Sequence, residues 1–152
     1  KYDIVRAGLN SRLDTLQAAI LLAKLTVFDD ELAARQRITA RYDERLRDLV
    51  TVPARRNGSQ SAWAQYTIQT DHRDALAAGL KARGIPTAIY YPLPMHLQTA
   101  YSPYGDGAGA HPVSEALCGH VLSLPMHPYL NDATIDRICD VVSAVLQDAA
   151  AA

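Results

Sequence analysis

The chain has 152 residues, about the size of one domain. With 49% apolar and 20% charged residues, it can bury a core and is too apolar for a disordered tail. Fifteen Lys and Arg against 16 Asp and Glu leave a formal net charge of −1, which argues against a protein built to grip nucleic-acid phosphates, since that requires a basic surplus. No stretch reaches the roughly 20 apolar residues of a membrane span, and Lys1, Asp3 and Arg6 interrupt the N-terminus before a signal-peptide core can begin. The expectation is a cytoplasmic globular domain with Cys118 and Cys139 as small buried thiols.

Ser11-Arg12-Leu13-Asp14 has the form of a capping box. Leu13, Leu16, Ile20, Ala23 and Val27 then follow at helical spacing, and Ile38, Tyr42, Leu46 and Leu49 continue in a second phase. This predicts one long helix, or two in series, from Ser11 to Asp48, with a kink at Asp29-Asp30-Glu31. So long a helix in so small a domain connects two bodies or lines an interface. Val50–Val52 reads as a short strand stopped by Pro53, and Ala62–Thr70 as a second with Ala64, Tyr66 and Ile68 on one face. Trp63 and Tyr66 read as packing residues. Asp71–Asp74 caps a helix that ends at Gly84. Pro86–Tyr91 is a further strand, followed by an irregular loop from Leu93 to Ala110, long enough to suggest function. A short helix has Pro112 at its first position and stops at Gly119. Val121–Met126 is the last strand, and the final helix opens at Asn131-Asp132. The expected fold class is α/β, an α+β two-layer small domain: a connecting helix, then a small, mostly antiparallel sheet with helices against one face.

Few motifs carry chemistry. The histidines at 72, 96, 111, 120 and 127 form no metal-ligand spacing, and there is no nucleophile elbow, P-loop or dinucleotide turn. Lys24 and Lys81 lie among charged neighbours and read as solvated rather than as Schiff-base lysines. Two places stand out. Asn10 and Arg12 lie at a helix start, where free N–H groups and the dipole favour an anion, though a turn, a Ser cap and an exposed Arg describe the same residues. Tyr90, Tyr91 and His96, with Pro92 and Pro94 between them, can build a rigid pocket wall or divide between core and solvent.

Three ordered blocks give the chain a more specific reading: Gly8–Leu25 (GLNSRLDTLQAAILLAKL), Gly84–Gln98 (GIPTAIYYPLPMHLQ) and Leu122–His127 (LSLPMH). Together they resemble the DegT/DnrJ/StrS family of pyridoxal-phosphate (PLP) sugar aminotransferases, which act on nucleotide-linked keto-sugars. The resemblance implies the C-terminal domain of a fold type I PLP-dependent transferase. Residues 1–10 would be the tail of a large PLP-binding domain, 11–48 the connecting helix and 49–152 the small domain. It places the Schiff-base lysine upstream of Lys1, so no catalytic residue is expected in this chain, which alone would be inactive. Asn10 matches the residue that reaches the cofactor phosphate of the neighbouring subunit in a homodimer. Arg12 matches a substrate-binding position, Tyr90 and Tyr91 the stretch that closes over the sugar, and His96 a further substrate contact; many relatives have His where Tyr90 stands.

The implied reaction is amino transfer from glutamate to a keto-sugar, UDP-linked on the Tyr-Tyr-Pro-x-Pro-x-His-Leu-Gln pattern, in polysaccharide or amino-sugar biosynthesis. No metal, nucleic acid or membrane is expected. A PLP-dependent sugar dehydratase relative and a stand-alone interaction module, with Leu13–Val27 as its binding stripe, are the alternatives.

Overall fold

The computed structural model describes residues 12–151. Two helices come first, α1 (Thr15–Leu25) and α2 (Phe28–Leu46), broken at Thr26-Val27. The break precedes the acidic step. Asp29, Asp30 and Glu31 form the first turn of α2, where their charge faces unpaired helix N–H groups. Ser11 lies outside the described residues, and α1 starts later than the capping pattern predicts. Asp14 is its cap residue but makes no capping hydrogen bond; its carboxylate lies 3.7 Å from Arg12 Nε.

Two strands form the sheet, β1 (Tyr66–Gln69) and β2 (Val121–Leu124), paired antiparallel with Tyr66 opposite Leu124 and Gln69 opposite Val121. The two other predicted strands shrink to single bridges, Thr51 with Gln69 and Ala88 with Ser123, one on each outer edge. Proline explains much of this. Pro53, Pro86 and Pro92 offer no N–H to a ladder, and Tyr91 turns into the left-handed region at φ 59°. The strand expected from Ala62 is also shorter. Trp63 sits at φ 50°, so the alternation begins only at Tyr66, leaving Ala64 exposed while Tyr66 and Ile68 are buried. Pro125 ends β2.

Three further helices complete the domain: α3 (Arg73–Ala82), α4 (Pro112–His120) and α5 (Asp132–Ala150). Gly84, at φ 71°, closes α3: its N–H donates to Lys81 O, and that of Ile85 to Leu80 O, both at 3.0 Å. This is the paired-bond stop that only a left-handed residue allows cheaply. Asn131 Oδ1 caps α5 by accepting from Thr134 N at 2.8 Å. Ile38, Tyr42 and Leu46 of α2, Leu76 and Leu80 of α3, and Ile135, Ile138 and Val142 of α5 meet Tyr66, Ile68 and Leu122 in one core.

Helices α2 and α5 are also laced together by charge. Arg41 makes a two-pronged contact with Asp136 at 2.8 and 2.6 Å. Arg37 pairs with Asp132, and Arg45 with Asp136 and Asp140. Cys139 is buried as expected, and burial pushes its thiol up to about 11. Cys118 is only partly buried. By contrast, α1 buries none of its residues: Leu16, Ile20, Leu21, Leu22 and Leu25 are all exposed. No helix is long and apolar enough to cross a membrane among the described residues.

Candidate functional site

The site forms where β1 begins and β2 ends. There the chain leaves regular structure on three sides: before Tyr66, after Leu124, and beyond the Ala88 bridge. These ends enclose an open cleft of about 340 Å³, lined by Gln65, Tyr90, Ser123, Met126 and His127 among others. Its floor is fixed. Ser123 is buried, with its Oγ 2.7 Å from Thr67 Oγ1, and the Tyr42 hydroxyl donates to Pro125 O at 3.0 Å. Its rim is chemically mixed: an exposed amide, a phenol, a thioether and an imidazole, largely apolar bodies with polar tips. Both left-handed non-glycine residues among the described residues, Trp63 and Tyr91, adjoin this lining. Such conformations cost of order 1–3 kcal/mol each and tend to gather at functional sites.

Of the expected site residues, Tyr90 lines the cleft. Tyr91, 77% exposed and in the left-handed region, follows it in the chain but is not part of the lining. Arg12 is exposed, near Asp14, and Asn10 lies outside the described residues. His96 belongs to a different constellation. Its side chain is only 10% exposed, and Nε2 lies 3.0 Å from Glu115 Oε1, so against an ionised carboxylate that nitrogen is the donor. Glu115 also accepts the N–H of Gly109 at 2.9 and 3.0 Å and that of His111 at 3.2 Å. The Gly109 N–H, then His96, hold the Glu115 carboxyl below its ordinary range, against a smaller upward push from desolvation.

Sequence reading did not single out Gln65, His127 or Glu115. Gln65 gave one faint signal, a polar side chain between two aromatics at a strand start. Glu115 gave another, an acid in the first turn of a Pro-initiated helix. Lys24 pairs with Glu31, whose carboxylate also accepts the Tyr129 hydroxyl at 2.6 Å, and Lys81 is exposed on α3. No group of residues suited to a metal ion occurs among the described residues.

Residues 1–143 match the model of the DegT/DnrJ/EryC1/StrS aminotransferase family. Over 140 residues the chain is 46% identical to UDP-2-acetamido-2-deoxy-3-oxo-D-glucuronate aminotransferase of Pseudomonas aeruginosa, covering 91% of this chain and 38% of that protein. The fold matches the crystal structure of a DegT DnrJ EryC1 StrS aminotransferase from Brucella abortus at TM-score 0.84 and 55% identity, over 95% of this chain and 39% of that one. It also matches a Streptococcus pneumoniae protein in its PLP form at TM-score 0.82 and 25% identity, over 97% of this chain and 39% of that one. The chain thus spans about two fifths of the length of these relatives. The helices and small antiparallel sheet are those of the C-terminal part of a fold type I PLP-dependent aminotransferase, and the chain belongs to the DegT/DnrJ/EryC1/StrS aminotransferase family.

Proposed function

We infer that these residues are part of a PLP-dependent aminotransferase. It moves an amino group from glutamate to a UDP-linked keto-sugar, for cell-surface polysaccharide or amino-sugar biosynthesis. The observation that carries this reading is the 46% identity to an enzyme named for a UDP-linked 3-oxo sugar, sustained over 91% of the chain.

The described residues fit a substrate wall and do not fit the cofactor ring. The cleft holds no lysine to bond the cofactor and no carboxylate to pair with a pyridine nitrogen, and Lys24 is committed to Glu31. As the family resemblance implies, we assign the Schiff-base lysine to the rest of the protein, and no chemical step to a residue described above. When bound, PLP supplies the electron sink for amino transfer.

The contribution of this segment is recognition. Asn10 donates its amide to the cofactor phosphate across a homodimer interface, and Arg12 offers a planar guanidinium to the substrate's phosphates. Tyr90 bounds the cleft, and Tyr91 closes over the sugar at its edge. Residues 1–10 are the tail of the large domain, and the apolar side chains of α1 pack on the remainder of the enzyme. The test is incubation of the full-length protein with a UDP-linked 3-keto-sugar and ¹⁵N-glutamate. A ¹⁵N-labelled amino-sugar is expected. Loss of water from the sugar without label would instead make the protein a dehydratase relative.

A further inference from the structure

The segment from Pro92 to His111 lacks strand or α-helix, yet it is not loosely held. Two short 3-10 turns, Met95–Leu97 and Ser102–Tyr104, fold it back on itself. Gln98 ties both parts, donating its side-chain amide to Leu93 O at 3.1 Å while its own carbonyl accepts from Tyr101 N and Ser102 N at 2.9 and 2.8 Å. The returning strand of the loop crosses directly over His96 at Gly105. A Cβ on Gly105 would lie 3.0 Å from both Cβ and O of His96, so a larger residue fits that crossing only if the two segments move slightly apart.

Glu115, in the first turn of α4, is the post to which both ends of this segment are tied. Its carboxylate takes His96 from the outgoing end and the N–H groups of Gly109 and His111 from the returning end. The His96 and His111 rings meet edge to face at 4.7 Å between centroids. Four residues separate Tyr91 from His96, and two of them are Pro92 and Pro94, whose locked φ makes that link a stiff spacer. A shift at His96 is therefore passed to Tyr91 rather than absorbed.

We propose that Glu115, acting through His96, is a positioning residue for the sugar side of the active site: it anchors the Pro92–His111 segment to α4 and thereby fixes Tyr90 at the cleft, with Tyr91 beside it. His96 in this arrangement holds the wall rather than the substrate. The proposal rests on the aminotransferase reading above and adds a residue that the family resemblance did not name.

The test uses full-length enzyme carrying Glu115→Gln, which keeps one acceptor oxygen, and Glu115→Ala, which keeps none. Amide hydrogen exchange over 93–111 is measured alongside steady-state and half-reaction kinetics. The expected result is faster exchange confined to that segment, and a KM for the keto-sugar raised about tenfold in Glu115→Ala and less in Glu115→Gln. The rate of the glutamate half-reaction, which does not use the wall, stays within about twofold of wild type. Unchanged exchange in Glu115→Ala overturns the anchor. Faster exchange with an unchanged sugar KM overturns the positioning role, and an equal loss in both half-reactions assigns Glu115 to general stability instead. If wild-type enzyme transfers no amine to any nucleotide-linked keto-sugar, the functional reading falls and the positioning role with it. The exchange data would still report the anchor separately.

Discussion

Tyr66 donates its buried hydroxyl to Asp43 Oδ1 at 2.7 Å, joining the first residue of β1 to the last turn of α2. The same carboxylate pairs with Arg55 from the loop between them, and the Tyr66 ring stacks on Tyr42 at 4.8 Å. Burial, then the hydrogen bond to Asp43, pushes the Tyr66 phenol far above its ordinary range, which keeps it a donor at neutral pH. This contact holds the sheet end that carries Gln65 against the helical layer.

Asp43→Ala should therefore be costly, because it leaves a buried hydroxyl without its acceptor and a guanidinium without its partner. A loss of about 2–3 kcal/mol is expected by denaturant unfolding, against about 1 kcal/mol for Tyr66→Phe, which removes the donor but keeps the Arg55 pair. Equal effects would mean that the Arg55 contact contributes nothing.

Gly79 faces Val145 so closely that a Cβ would come within 2.6 Å of Val145 Cγ2. Glycine here serves the approach of α3 to α5, since its backbone is ordinary helix. Gly79→Ala is expected to cost about 1–3 kcal/mol despite the better helix propensity of alanine. Val145→Ala should relieve part of that cost, so the double variant should be more stable than the sum of the two single losses. Strict additivity would contradict the close approach.

The Arg41 contact holds the Asp136 carboxyl below its ordinary value of 3.8. A depressed acid contributes stability that is present above its unfolded pKa and lost as pH falls through the folded one. Wild-type protein should thus lose stability below about pH 4 through this group. Asp136→Asn should have a flatter profile there, with a Tm a few degrees lower at neutral pH and low salt. Raising the salt to about 1 M should narrow the gap, because the pair is partly exposed. A gap independent of salt would point to packing rather than charge.

Tyr91 holds φ 59° while largely exposed, a conformation that a bulky residue adopts at a cost of roughly 1–3 kcal/mol. Tyr91→Gly should leave thermal stability unchanged or raised, since glycine takes that backbone freely. The KM for the keto-sugar should rise about tenfold if the phenol closes over the substrate. Unchanged KM would remove Tyr91 from the site.

Local chemistry was the legible part of this sequence. Pro112 starts α4, Asn131 caps α5 and Gly84 ends α3, each because the signal and its effect lie within a few residues. The strands were less legible. Nothing in Ala62-Trp63-Ala64 announces that Trp63 turns left-handed, which is imposed by the core contact it makes beside Tyr66 and by the bond from its indole N–H to Gln36 Oε1 at 3.0 Å. The capping pattern also misplaced the start of the first helix, which begins at Thr15 with Asp14 as its cap residue.

At the site, Tyr90 was legible as an aromatic at a strand end. Gln65 and His127 join it only through the pairing of β1 with β2, a long-range event without a short motif. Glu115 and His96 are 19 residues apart, and their partnership depends on the whole loop between them.

Borohydride reduction of the full-length protein, followed by mass-spectrometric mapping of any PLP-bearing peptide, tests the proposed activity most directly. One labelled lysine is expected, in a peptide outside residues 12–151, with Asn10→Ala weakening PLP retention but not the fold. A label on Lys24 or Lys81, or a protein that binds no PLP, would contradict the assignment of this segment as the recognition half of a PLP-dependent sugar aminotransferase.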